Sequence, residues 1–199
     1  MKKRSTKNLL VTLFGIIGLM LGASSAFAYD VWFYGGFTPY PTTVYPYSTF
    51  DATSKTAMIN ASAQWNNAGI GNMVSIGSNT SNTTYPNDNN LNQVTKGSRG
   101  TQTYLMQTYA TTTTTIMNGK FVENAMSEAD IDVNISHPWG NGSANLYDIG
   151  QVFTHELGHL LGLNHSNVTG ATMISGSSVG ETYKRDIEQD DKDGISVIY

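Results

Sequence analysis

The sequence contains, from His155 to His165, the stretch His-Glu-Leu-Gly-His-Leu-Leu-Gly-Leu-Asn-His. His155 and His159 are four residues apart, which places both side chains on one face of a helix, one turn from each other. Two imidazoles at this spacing can bind the same metal ion, and Glu156 beside them can act as a general base on a metal-bound water. The stretch therefore predicts a helix that carries a metal site with a carboxylate next to it.

Gly162 predicts that this helix ends before the third histidine. A continuing helix would carry His165 away from the metal, whereas glycine turns the chain at low steric cost. After the turn, His165 can supply the third nitrogen ligand while a fourth position stays open for water. Three protein ligands and one open position are typical of catalytic zinc rather than of a closed structural site. The alternative, a chance His-Glu-x-x-His on a core helix, is disfavoured by the third histidine and the glycine.

The full pattern, followed by a methionine in Ala171-Thr172-Met173-Ile174, resembles that of the metzincin zinc peptidases. Met173 stands eight residues after His165 and matches the methionine turn of that family, which forms a hydrophobic floor under the zinc ligands. Within the metzincins, residues 155–166 are most similar to the matrixins and their bacterial relatives. Residues 189–199 resemble the C-terminal helix of matrixin catalytic domains.

The resemblance implies an α+β fold and a zinc-dependent endopeptidase. The expected fold is a twisted, mostly parallel sheet with one antiparallel edge strand, two long helices on it and a small C-terminal subdomain ending in a helix. The expected ligands of one catalytic zinc are His155, His159 and His165, and Glu156 is the expected general base for a zinc-activated water that hydrolyses peptide bonds. The partner is then a protein or peptide substrate, which in this family lies along an edge strand; part of Thr101–Met117 is the candidate.

Asp190 and Asp191 are expected to be structural. Their negative charge suits the N-terminus of the last helix, and in the family the paired aspartates tie this helix to the methionine turn or to the mature N-terminus. Ser175 stands where the astacin-like and serralysin-like metzincins have a tyrosine, which favours the three-histidine site of the matrixins. Residues 175–180 replace the usual Pro-x-Tyr wall of the specificity pocket, so subsite preference is not carried over. Tyr183 either replaces that wall or is an exposed loop residue.

Residues 1–28 are predicted to be a secretory signal peptide, and residues 29–199 one catalytic domain. A basic start is followed by an apolar run, Leu9–Leu21, and by the cleavage-like sequence Ala26-Phe27-Ala28. The run is short for a membrane span, which disfavours the alternative of an uncleaved anchor. We therefore expect a secreted, extracellular protein without a stable membrane anchor.

The charge of the chain argues against nucleic acid as a partner, and its lack of cysteine excludes disulfides. The signal region carries four of the eleven basic side chains and no acidic one, so the remaining 171 residues have seven basic and fifteen acidic side chains. Such an acidic domain argues against nucleic acid as a partner, and its carboxylates, Asp88 among them, are candidates for structural calcium. The sequence has no cysteine and hence no disulfide. We expect a monomer.

Periodicity and turn signals predict the remaining elements. His137 is the only histidine outside the motif, whereas the second zinc of vertebrate matrixins needs several. It is therefore expected at the surface or hydrogen-bonded, and Trp139 is expected in the core. The predicted elements are a strand at Asp30–Tyr34, an extended surface segment at Pro39–Pro46, a helix at Ser54–Asn67 capped by Asp51 or Ser54, a strand at Met73–Ile76, a loop at Gly77–Gln93, a strand within Thr101–Met117, a hairpin at Asn118-Gly119 returning as Lys120–Val122, a strand at Ala129–Ile135 and the histidine-bearing helix at Leu146–Leu161.

Two other functions remain compatible with the sequence. One is a narrow-specificity processing protease, which the altered residues 175–180 leave open. The other is a secreted zinc-binding or adhesive module without general proteolytic activity, against which the intact Glu156 argues.

Overall fold

The computed structural model describes residues 29–32, 41–117 and 120–199, with only the backbone described for 113–117 and 120–125. The predicted signal peptide, the second half of the predicted first strand and the hairpin tip Asn118-Gly119 lie outside the described residues. None of the helices in this described part has both the length and the apolar character that a membrane crossing needs.

The described residues form a sheet, a short second sheet and three α-helices. Their bounds are β1 Thr42–Pro46, α1 Ala52–Asn66, β2 Val74–Ile76, β3 Asn92–Gly97, β4 Met106–Met117, β5 Lys120–Asn134, β6 Trp139–Gly140, β7 Tyr147–Asp148, α2 Ile149–Leu160, a 3₁₀ turn at Tyr183–Arg185 and α3 Gln189–Ile198.

The main sheet has the strand order β2-β1-β3-β5-β4. The pairs β1–β2, β1–β3 and β3–β5 are parallel, and β4 pairs antiparallel with β5 at one edge. This mostly parallel sheet with an antiparallel edge strand, together with the C-terminal helix α3, confirms the predicted α+β fold.

Helices α1 and α2 pack against each other and form the core with the sheet. Helix α1 begins after Asp51, whose carboxylate accepts a hydrogen bond from the Ser54 backbone N–H at 2.8 Å. Its apolar face, including Ala57, Met58 and Trp65, is buried. The indole N–H of Trp65 donates to the Thr154 carbonyl of α2 at 2.9 Å, which fixes the position of one helix on the other.

Two central strands differ from the sequence prediction. Residues 42–46, predicted as a surface segment, form β1 in the interior of the sheet, and the Val44 side chain is fully buried. Pro41 and Pro46 had argued against a strand, but they lie just before it and at its last residue, where a missing N–H donor is tolerated. Strand β3 was not predicted because its sequence, Asn-Gln-Val-Thr-Lys-Gly, is mostly polar.

Strand β5 corrects another prediction, since the separate strands expected at Lys120–Val122 and Ala129–Ile135 are one strand of 15 residues. Met117 pairs with Lys120, so β4 and β5 flank the predicted hairpin position. Ile131 and Val133 are buried, whereas Ile135 lies past the end of the strand and is 50% exposed.

The second face of β5 carries three buried carboxylates, Glu128, Asp130 and Asp132. The predicted loop, which ends at Leu91 because β3 begins at Asn92, covers this face. Its backbone N–H groups donate to Glu128 and Asp130, and Arg99 and Tyr104 donate to Asp132. Each carboxylate is thus satisfied by hydrogen bonds, which is the condition under which a buried charge is tolerated.

The N-terminal residues 29–32 lie beside the chain that follows α2. Val31 forms an isolated antiparallel bridge with Leu163, in place of the predicted strand at its described residues. The Asp30 carbonyl accepts a hydrogen bond from the Asn164 N–H at 2.8 Å.

The burial of Asp130 makes the stability of the fold dependent on pH. Burial raises the pKa of this carboxyl from 3.8 to about 6. A group with a higher pKa in the folded state stabilises the fold when protonated, so the contribution is present below about pH 4 and is lost as the pH rises through about 6. In urea unfolding, we expect wild type to lose up to about 3 kcal/mol relative to Asp130→Asn between these pH values.

Asp88→Asn is the matched control for this experiment, because it removes a carboxylate from the same loop at an exposed position. Its unfolding free energy should follow the wild-type pH profile. Parallel profiles for wild type and Asp130→Asn would contradict the prediction.

Candidate metal centre

Helix α2 is buried along its whole length and begins later than predicted. Residues 147–148 form the short strand β7, paired with β6, so the helix starts at Ile149 rather than Leu146. Asp148 caps it by accepting from the Gln151 N–H at 2.9 Å and is itself held by Arg185. This ion pair and cap fix the helix end that lies about two turns before the first histidine.

The chain turns at Gly162, as the sequence predicts. Gly162 has φ +107°, the left-handed region that glycine adopts without steric cost. The Leu163 N–H bonds back to the Gly158 carbonyl at 2.9 Å and closes the helix end. His165 is thereby returned toward the helix.

The three predicted ligands come together. One nitrogen from each of His155, His159 and His165 lies within 4.8 Å of the other two. His155 Nδ1 is 2.7 Å from the Thr172 carbonyl, and His159 Nδ1 is 2.8 Å from the Leu163 carbonyl. Because a carbonyl can only accept, each Nδ1 carries the proton, and each Nε2 keeps its lone pair for a metal.

The histidine cluster suits zinc electrostatically as well. Burial lowers the pKa of His155, His159 and His165, and neighbouring histidines lower those of His155 and His165 further. Neutral imidazoles are the form that binds a metal. His155 and His159 are buried, whereas His165 is exposed, so the cluster opens to solvent on the His165 side. Three converging neutral nitrogens with one open side fit a catalytic zinc.

Glu156 is buried beside this cluster. Burial raises the pKa of its carboxyl to about 7, while hydrogen bonding to Thr108 lowers it. The Thr108 hydroxyl lies 2.7 Å from Oε2 and donates to it across the cleft from β4. The sequence analysis did not identify Thr108, because its contact with Glu156 depends on how β4 packs against α2. The available signal was the prediction that a strand within Thr101–Met117 borders the substrate cleft.

Met173 is buried beneath the histidine-bearing helix. A Cβ atom built on Gly158 would overlap its sulfur, so the methionine packs directly on the helix backbone next to His159. Asp191 accepts from the N–H groups of Thr172 and Met173, at 2.8 and 3.0 Å. The carboxylate of α3 thus holds the segment whose carbonyl holds His155.

Asp190 and the N-terminal segment support the chain around His165. Asp190 accepts from the Ser166 hydroxyl at 2.6 Å. The Asn164 side chain donates to the Asp30 carboxylate at 2.9 Å, and the Trp32 ring packs edge-on against His159 with centroids 5.7 Å apart. The contacts of Asp30 and Trp32 were not anticipated from sequence, because they join segments about 130 residues apart.

A cavity of about 320 Å³ lies beside His155, Glu156 and His165. Its lining includes Leu105, Met106, Tyr147 and Val152. Gly176 and Ser177, from the segment after the methionine turn, also line it.

Tyr183 is 46% exposed, which corresponds to the exposed-loop alternative. His137 packs its ring edge-on against Tyr147 outside the cluster, and half-buried Trp139 donates its indole N–H to the Asn134 carbonyl.

Comparison with known proteins relates the segment that carries this site to a known family. The matrixin family model matches residues 111–199. This segment of the chain is therefore similar to the matrixins. Human neutrophil collagenase is 43% identical over 70 residues, which cover 35% of this chain and 15% of the collagenase. Stromelysin-3 of Xenopus laevis is 31% identical over 84 residues, covering 42% of this chain and 17% of that protein.

The matrixin match confirms the resemblance inferred from the histidine motif. It includes α2, the three histidines, the methionine turn and α3, whereas α1 and strands β1 to β3 lie before it. The chain spans less than a fifth of the length of the two matrixin relatives.

The contact between Gly158 and Met173 predicts a site-specific intolerance of alanine. In Gly158→Ala the new Cβ would overlap the Met173 sulfur and lie 2.8 Å from Trp65 Cζ2. We expect a loss of about 1–3 kcal/mol in unfolding free energy from overpacking, measured by denaturant unfolding.

Gly150→Ala is the control, because it adds the same methyl group to the same helix. Its Cβ would meet Asp148 Oδ1 at 3.2 Å and Ala57 Cβ at 3.7 Å, which small shifts accommodate. Equal stability of the two variants would show that Met173 does not pack on the helix as described.

Proposed function

We propose that the chain is a zinc-dependent endopeptidase. The observation that carries this proposal is the buried Glu156 carboxylate beside three imidazoles whose free nitrogens converge on one open position. The matrixin match over the same residues supports it. Zinc held by His155, His159 and His165 would act as a Lewis acid that polarises the scissile carbonyl and activates water.

Glu156 is proposed to move the proton. Its carboxylate takes a proton from the attacking water and delivers it to the leaving amine. Oε2 accepts from Thr108, which leaves Oε1 as the oxygen that takes the proton. Thr108 is a positioning residue in this scheme, because it fixes the rotation of the carboxylate.

The substrate is proposed to pair with the free edge of β4. The Asn134 N–H donates to the Leu105 carbonyl, so hydrogen-bonded pairs with β5 recur at odd-numbered positions of β4. The backbone groups of Met106, Thr108 and Ala110 therefore point to the edge that no described strand occupies. An extended peptide added at this edge would pass the Glu156 side chain and could place one side chain in the cavity.

Export and domain organisation are further parts of this proposal. We propose that residues 1–28 direct secretion and that residues 29–199 form the mature, monomeric catalytic domain. The basic start, apolar run and small-residue cleavage site support this. Structural calcium is compatible with the acidic composition.

A narrow-specificity processing protease is the second candidate. The unusual residues 175–180 favour it, because Gly176 and Ser177 lie in the cavity wall. A profile over a peptide library separates the two, since a processing enzyme would cut few sequences. A zinc-binding module without proteolysis would bind zinc and cut none.

The role of Glu156 predicts the effect of removing its charge. In Glu156→Gln we expect kcat on a quenched peptide library to fall by roughly 10²–10⁴-fold, the usual contribution of a general base. Zinc content, measured by elemental analysis, should stay at one ion per chain, as in wild type. A chelator should abolish wild-type cleavage, and added zinc should restore it. Substantial cleavage by Glu156→Gln would refute the assignment.

The hydrogen bond from Thr108 predicts a smaller effect. Thr108→Val keeps the shape of the side chain but removes the donor to Glu156. A hydrogen bond to a charged group is worth about 1.5–3 kcal/mol, so kcat/KM should fall roughly 10–100-fold. Thr108→Ser, which keeps the hydroxyl, should restore most of the activity. If the valine and serine variants are equally impaired, packing rather than the hydrogen bond explains the loss.

A further inference from the structure

Lys184 is a buried lysine that holds backbone rather than a carboxylate. Lys184 is 1% exposed, and its ammonium donates hydrogen bonds to the Ile174 carbonyl at 2.5 Å and to the Gly176 carbonyl. The two ion pairs found in the described chain, Arg99–Asp132 and Arg185–Asp148, do not involve it. A buried ammonium is costly unless it is hydrogen-bonded, so its position indicates a specific use.

The two carbonyls belong to the segment that follows the methionine turn. Ser175 and Gly176 are exposed, and Gly176 adopts φ +78°. The hydrogen bonds that hold the segment further on involve the N–H groups of Ser178 and Gly180. Lys184 therefore holds the backbone of residues 174–177, which lies between the methionine turn and Ser178.

This segment is one wall of the cavity beside the histidine cluster. Gly176 and Ser177 line that cavity together with His155 and His165. The wall has neither a proline nor an aromatic side chain to stiffen it, since its sequence is Ser-Gly-Ser-Ser from Ser175 to Ser178. A wall of small residues keeps a defined shape only when something else restrains its backbone.

Acidic side chains near Lys184 favour the charged form of its amine, which is the form that donates most strongly. Burial lowers the pKa of its ammonium, whereas the charges of Glu181 and Asp191 raise it.

We propose that Lys184 is a specificity-determining positioning residue, which restrains residues 174–177 and so sets the size of the substrate side chain that the cavity accepts. The proposal rests on the peptidase function proposed above. A restrained wall discriminates between apolar side chains, because an ill-fitting methylene in a rigid pocket costs about 10–200-fold in kcat/KM. A released wall adapts to each side chain and loses that preference.

The test compares Lys184→Met with Lys55→Met in the purified, zinc-loaded protein. Methionine keeps the length and apolar stem of lysine but removes the donors. Lys55 is the matched control, since its ammonium also donates to a backbone carbonyl, that of Ser48 at 3.2 Å, away from the cavity. The substrates are peptides that differ only in the side chain entering the cavity: alanine, leucine, phenylalanine or tryptophan.

We expect the ratio of kcat/KM between the best and worst peptide to fall about tenfold or more in Lys184→Met and to stay unchanged in Lys55→Met. Zinc content should be equal in all three proteins. An unchanged ratio in Lys184→Met, or an equal fall in the control, would overturn the proposal.

Amide hydrogen exchange gives a readout independent of cleavage. Peptide fragments containing residues 174–178 should exchange faster in Lys184→Met than in wild type, while fragments from α2 stay protected. Unchanged exchange at 174–178 overturns the proposed restraint. If wild type cuts no peptide, the peptidase function fails and the specificity role fails with it, whereas the exchange result still decides whether Lys184 restrains the wall.

Lys184→Gln replaces the methionine variant if that variant does not fold. Its amide keeps two N–H donors on a shorter stem, so the peptide ratio should fall in the same direction by a smaller factor. A folded Lys184→Gln with wild-type peptide ratio and wild-type exchange overturns the proposal.

Discussion

Two hydrogen bonds, from His155 to the Thr172 carbonyl and from His159 to the Leu163 carbonyl, are the constraint on which the site depends. They fix the tautomer of each ring and aim both free nitrogens at one point. Neither carbonyl belongs to the helix that carries the histidines. The chain must therefore leave the helix at Gly162 and return beneath it, and the architecture around α2 follows from that requirement.

The returning chain is held by carboxylates in addition to the apolar packing of residues such as Leu163 and Met173. Asp191 accepts from the backbone of Thr172 and Met173, Asp190 accepts from Ser166, and Asp148 joins the start of α2 to Arg185. Burial raises the pKa of Asp191, whereas the hydrogen bonds that it accepts lower it. A protein without disulfides thus gains rigidity around its histidines from directed polar contacts, which tolerate little displacement.

The parts of the fold that were predictable from sequence are those with a local cause. Helix α2, its turn and the grouping of three histidines follow from spacing and from one glycine, and α1 follows from its apolar face and cap. Strand β3 and the buried face of β5 were not predictable, because polar side chains there are satisfied by partners 30 to 50 residues away. Thr108 and Lys184 act through contacts that exist only once strand register and loop path are set.

The position of Asp191 in the chain has a consequence for biosynthesis. Helix α3 is made after every other described element, yet its carboxylate orders the segment that orients His155. During translation, the residues of α2 with His155 and His159 are synthesised before Asp191, which supports His155. A nascent chain therefore holds a complete set of imidazoles without a shaped site. The segment that orients His155 gains its hydrogen bonds to Asp191 only after α3 docks.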